Sequence, residues 1–165
     1  MRAIVKLGTN TATGEAKAFA SDDGCQLVFA DGSNWAGTLV ANEDIAFTNL
    51  TDGAAAATVA LNDVRFTGRF PIRVWKKTGA SDKVNISGSL SRTKKNAGFV
   101  LVCMDDDLAV GDSFEIGTCP AAALTGDFSR AFTANGFSLS ATPADDGKVT
   151  LTVKRDPLGA MILVR

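Results

Sequence analysis

Apolar and polar residues alternate in short stretches along this chain and almost nowhere recur with a helical period. Ser81–Gly117 shows the pattern most plainly. Val84, Ile86 and, past Gly88, Leu90 alternate with polar neighbours, which predicts a strand with one buried and one wet face. Phe99–Met104 is an unbroken apolar run, which predicts a strand covered on both faces. On that reading Val100→Asp buries an unpaired charge and unfolds the domain. Comparable runs lie at Ala3–Leu7, Cys25–Ala30, Gly37–Ala41, Ile45–Asn49, Ala57–Leu61, Val64–Thr67, Ile72–Trp75 and Ser113–Ile116. Further runs are Gly126–Phe132, Phe137–Ala141, Val149–Lys154 and Met161–Val164. Turn-forming residues separate them, among them Asp23-Gly24, Asp31-Gly32, Asp52-Gly53, Asn62-Asp63, Asn135-Gly136 and Asp145-Asp146-Gly147. Helical signal is thin. Asn10–Ser21 reads as a turn or ragged strand, and Ala54–Ala57 as one helical turn or a tight strand.

Short strands at this spacing define an all-β fold. Two architectures fit: a β-sandwich or jelly roll of hairpins, or a right-handed parallel β-solenoid (β-helix) with an antiparallel C-terminal cap. The layout between Trp35 and Leu90 favours the solenoid, because a turn Asp, a short alternating strand and a small residue recur there. Asn49, Asn62 and Asn85 fall at turns or strand ends, placed to bridge successive coils through their amides. Residues 1–165 are expected to form a single domain, with coils over about 25–117 and capping strands over 118–165. In the cap, Asn135-Gly136 predicts a hairpin between Ala131–Thr133 and Phe137–Leu139. Asp145-Asp146-Gly147 leads into the alternating run Val149–Val153.

Composition narrows the function classes. The formal net charge is −1, so no broad basic field is offered to nucleic acid or anionic lipid. The basic clusters at Arg69–Lys77 and Arg92–Lys95 read as solvated turns. No run reaches the roughly 20 apolar residues of a membrane-spanning helix, and Met1–Gly8 lacks the apolar core of a signal peptide. Either the protein is kept in the cytosol as a full-length chain, or it is a segment of a larger exported chain. The abrupt start and the strand-like Gly159–Arg165 favour the segment. Histidine and tyrosine are absent, which removes the usual neutral-pH general base and any His-based zinc site. Cys25, Cys103 and Cys119 are too few for a disulfide framework. Cys103 reads as a core hydrophobe, and a Cys103–Cys119 bridge is the less favoured alternative.

Thr78–Gly88 resembles the Gly-x-x-Asp-x-Leu-x-Val-x-Gly coil found near the C-terminal end of autotransporter-type passenger β-helices. Leu108–Ile116, Gly126–Phe128, Gly136–Leu139 and Asp146–Val153 resemble the end of large bacterial surface proteins with autotransporter-associated β-strand repeats. The likeness covers Trp35–Val153 loosely and Ser81–Val153 better. It implies a secreted or surface-displayed right-handed β-helix, built as a stalk or scaffold rather than as an enzyme.

Candidate chemistry is sparse. Asp105-Asp106-Asp107 with Asp112 is the densest acidic cluster, but lacks the spacing of a calcium loop and reads as a solvated turn. Asp22, Asp23, Asp44 and Asp63 could line a carbohydrate-cleaving groove, yet each already has a turn role. Trp35 and Trp75 are the candidate ligand-binding residues, as aromatic platforms for a sugar, although a Trp in a β-run more often packs in the core. No catalytic residue, metal site or cofactor is expected. The expectation is a non-enzymatic structural or adhesive module of a secreted or cell-surface protein, self-associating or joined to a longer parent chain. The alternatives are a glycan-binding or glycan-cleaving β-helix with cell-surface glycans as partners, and a viral or phage structural subunit. Neither nucleic acid binding nor membrane insertion is expected.

Overall fold

Each strand places its apolar positions on one face, and the chain satisfies its backbone by laying successive coils side by side. The computed structural model describes residues 3–7, 13–17, 25–49, 54–124 and 132–157. Fourteen strands follow in order: β1 (Ala3–Leu7), β2 (Glu15–Ala16), β3 (Cys25–Ala30), β4 (Asn34–Ala41), β5 (Ile45–Thr48), β6 (Thr58–Phe66) and β7 (Arg69–Trp75). Then come β8 (Ala80–Ser81), β9 (Lys83–Ile86), β10 (Leu90–Arg92), β11 (Gly98–Cys103), β12 (Ser113–Pro120), β13 (Phe137–Pro143) and β14 (Lys148–Arg155). The sequence-predicted runs at 57–61 and 64–67 are one continuous strand, β6. Ala54–Ala57 holds a turn and no helix. Gly126–Ala131 and Met161–Val164 lie outside the described residues, as do Asp22 and Asp23.

The pairing is that of a β-solenoid of about three turns. On one side β1, β3 and β5 pair in parallel, and β7 and β11 continue the stack, also in parallel with each other. On the other side β2, β4, β6, β9 and β12 pair in parallel, with β10 on the same partner as β9. Parallel pairing on both sides sets aside the jelly-roll alternative, which needs antiparallel neighbours.

Between the two stacks lies the core. Phe29 is in register with Phe47, and Phe70 with Phe99. The Phe47 and Phe70 rings join the two pairs at 5.5 Å between centroids, and Phe66 leans in from the opposite stack, 4.9 Å from Phe99. The result is a ladder of tilted and edge-on rings with one stacked pair, Phe70 on Phe99. Leu39, Ile45, Leu61, Val64, Ile72 and Ile86 fill the levels around it.

Corners close through aspartate and glycine. Asp31 Oδ1 accepts from Thr58 N one coil on (2.7 Å), and Asp63 Oδ1 accepts from both Ser89 N and Ser89 Oγ (2.7 Å each). The asparagine expectation holds at two sites: Ser87 Oγ donates to Asn62 Oδ1, and Thr118 Oγ1 donates to Asn85 Oδ1. Asn49 Nδ2 donates to Ala56 O. Gly117 sits at φ +128° at a bulge in β12, and a Cβ there would meet the Val84 backbone.

The end of the stack is antiparallel, as expected. β14 pairs antiparallel with both β12 and β13. Two sequence expectations are corrected here. The hairpin is made by β13 and β14 around Asp145–Gly147, not around Asn135-Gly136, because Thr133 is already taken in a parallel bridge with Phe99. The run Phe99–Met104 is covered on one face only. Phe99 and Leu101 are buried, Val100 is half-buried, and Val102 and Met104 are 42% and 51% exposed. β11 is the last described strand of its stack and, among the described residues, no further layer packs on its outer side, so the half-buried Val100 is not the doubly covered position at which Val100→Asp was expected to bury a charge.

Candidate functional site

Alternation decides which side chains of the last two coils reach solvent. On β7, Phe70, Ile72 and Val74 are fully buried, so Pro71, Arg73 and Trp75 face outward. Parallel register brings Val100 beside Pro71 and Val102 beside Arg73. Met104, whose amide donates to Val74 O, comes level with Trp75. Pro71, Trp75, Val100, Val102 and Met104 therefore share one outer face. Val102, Met104 and Val110 (63%) are the large apolar side chains exposed among the described residues, and all three belong to the last coil.

One ion pair anchors this face. Asp82, fully buried, accepts from Arg73 Nε (2.8 Å) and Nη2 (2.9 Å) in a bidentate pair. The same carboxylate accepts from the Ala57 amide (2.9 Å) and the Arg73 amide (3.2 Å), so its lone pairs are filled. The Arg73 guanidinium also lies over the Trp75 ring, 5.1 Å from its centroid. Trp75 is thus half-buried with one side of its ring in contact with a cation.

Trp35 takes the core role. It is buried on β4, in register with Leu61, and its Nε1 donates to Gly14 O at 3.2 Å. A shallow cleft of about 300 Å³ opens beside it. Trp35 and Trp75 stand in opposite stacks and do not form a common platform.

The acidic cluster is spent on the fold. Asp105 accepts from the Lys76 and Lys77 amides (2.8 and 3.1 Å) and from Cys103 Sγ (3.3 Å). Desolvation pushes its carboxyl upward, but these bonds outweigh it and hold the group below its ordinary range. Asp112 is held low chiefly by Lys76 Nζ at 2.9 Å, and next by the Ala109 amide. Lys76 is raised by the same contact, and its Nζ also donates to Asp107 O. Among the described residues no group of three His, Cys, Asp or Glu side chains is placed to hold a metal ion. Asp63 is occupied by Ser89, and Asp44 belongs to the Asn42 turn. No carboxylate groove is assembled from them.

A larger cleft, about 530 Å³, opens between β11 and the cap. Arg69, Val102, Leu108, Asp106, Phe137 and Arg155 line it. Arg155 is stacked over Phe137 at 5.0 Å. Cys103 and Cys119 are free thiols. Burial pushes the Cys119 thiol up to about 11.

Sequence reasoning singled out Trp75 but missed Arg73, Asp82 and the outward turn of Val102 and Met104. An Arg on the wet face of a strand with an Asp nine residues on carries no signal by itself. No family model, curated protein or solved structure matches the chain.

Proposed function

We propose that this chain is a non-enzymatic structural or adhesive β-solenoid module of a secreted or cell-surface protein, part of a larger exported chain and self-associating. The outer face of the last coil carries this reading: its exposed apolar side chains are concentrated at one end of the stack and held on a rigid, ion-paired sheet. Contiguous exposed apolar surface of this kind is characteristic of interaction sites. The carboxylates that could do chemistry support the same reading, since Asp63, Asp82, Asp105 and Asp112 are bonded to neighbouring coils.

Val102→Glu combined with Met104→Lys tests it. Association, read by light scattering at rising concentration, should fall at least tenfold. Unfolding free energy should stay within about 0.5 kcal/mol, as for exposed substitutions. Unchanged association would remove this face from the proposal.

A second reading is supported by Trp75. A half-buried indole beside a guanidinium, on an exposed face, suits the apolar face and hydroxyls of a sugar ring. On a glycan array, Trp75→Ala should abolish any binding under this reading, whereas Trp35→Ala should reduce it only through lost stability.

A further inference from the structure

Charge changes sign along the outer face of β7 and β11. Arg69 opens β7 and is in register with Gly98, which opens β11. The loop that leads into β11 carries Arg92, Lys94 and Lys95, and all four cations are exposed. The acids that share clefts with them are Glu43 and Asp156, and Asp156 already accepts from Ser138 Oγ. At the far end of the two strands the balance reverses. Asp105, Asp106, Asp107 and Asp112 follow β11 there, against Lys76 and Lys77 after β7, and Lys76 is paired with Asp112. The 530 Å³ cleft beside β11 touches both ends, so Arg69 and two of the aspartates line it together, with Arg155, which lies on the Phe137 ring. Between the ends stand Pro71, Trp75, Val100, Val102 and Met104. Arg73 lies among them, but its charge is met by buried Asp82. The cap strands β13 and β14 extend the opposite stack through β12 and leave this face open, as the exposure of Val102 and Met104 records.

We propose that two copies pack this face together about a two-fold axis lying in the plane of contact and across the strands. The basic end of each copy then meets the acidic end of the other. This rests on the self-association reading above and names the geometry of the contact. A two-fold axis along the strands would set like ends together, and charge selects against it. Each contact made by one copy is repeated by the other, so the assembly closes at a dimer. The apolar centre, two strands wide, covers only about 20 Å by 10 Å. A standard interface takes roughly 800 Å² from each partner, so the charged ends are part of the contact. Such a dimer weakens as salt is raised.

Sedimentation velocity on the full chain and two charge variants tests this. Lys94→Glu with Lys95→Glu turns the basic end acidic, and Asp106→Lys with Asp107→Lys turns the acidic end basic. All four positions are exposed. Each variant alone should associate about tenfold or more weakly than the unaltered chain. An equimolar mixture of the two should recover a dimer, because opposite ends meet again at both contacts. Variants that associate as the unaltered chain does overturn the pairing of opposite ends, and so does a mixture of folded variants that fails to recover. Species larger than a dimer in the unaltered chain overturn the two-fold closure and leave self-association standing. Absence of any association up to millimolar concentration removes both readings.

Discussion

Asp82 carries more of the fold than any other single polar residue described. It is fully buried and bonds two other segments: Arg73, through both side chain and backbone amide, and the Ala57 amide of the preceding coil. Removing one partner of a buried ion pair leaves the other uncompensated, and the Ala57 amide loses its acceptor as well. Asp82→Ala should therefore cost about 3 kcal/mol in urea unfolding, the lower part of the usual range because Arg73 reaches partly to solvent. Replacing both Arg73 and Asp82 by apolar residues should cost less than Asp82→Ala alone. The two described thiols should also separate by burial. In a Cys25→Ser background, Cys103 should react with a thiol reagent at pH 8 in the folded protein. Cys119, buried and raised to about 11, should react only on unfolding.

Among the elements, the connection from β11 to β12 has the clearest dependence on conditions. Asp105 caps the turn after β7, and Asp112 holds Lys76, so two carboxylates fasten this connection to the coil before it. Both are held below the ordinary value of 3.8. A depressed carboxyl stabilises the fold above its unfolded value, and the contribution is lost as pH falls through the folded one. The melting temperature should thus be flat from pH 7 to about 5 and drop below about 4, with Asp105→Asn flattening the acid limb. Constant melting down to pH 2 would contradict this. β12 has a steric counterpart. Gly117→Ala should cost about 1–3 kcal/mol, since the Cβ would press on the Val84 backbone at a φ that disfavours side chains.

At this scale the sequence was most readable where alternation was strict. β6 and β9 show their buried faces directly in Val59, Leu61, Val84 and Ile86. The shared layout of turn Asp, short strand and small residue is explained by Asp31 and Asp63, which cap the coil that follows them. β11 was misread because an unbroken apolar run says that its residues avoid water, and not whether a covering layer exists. Asn135-Gly136 has the composition of a hairpin turn, but Thr133 finds a partner in Phe99 first, and a long-range bridge overrides a local preference. The candidate site was legible only at Trp75. Its neighbours Val102 and Met104 become visible only once the β7–β11 register is known.

Taken whole, the molecule is a stack in which each coil touches little beyond the coils above and below it. Val59 lies beside Val84, and Val64 beside Leu90, so about 25 residues separate one level from the next. Phe70, in the middle of the ring ladder and fully buried, contacts rings from both neighbouring levels. Phe70→Ala should cost about 3–5 kcal/mol and loosen the middle of the stack rather than its ends. The same regular spacing sets how the chain responds to load. Pulled from its two ends, a stack of this kind yields one level at a time, and each level lost pays out roughly 8 nm of extended chain. A tether of such coils lengthens in steps under tension while the levels still folded keep their grip.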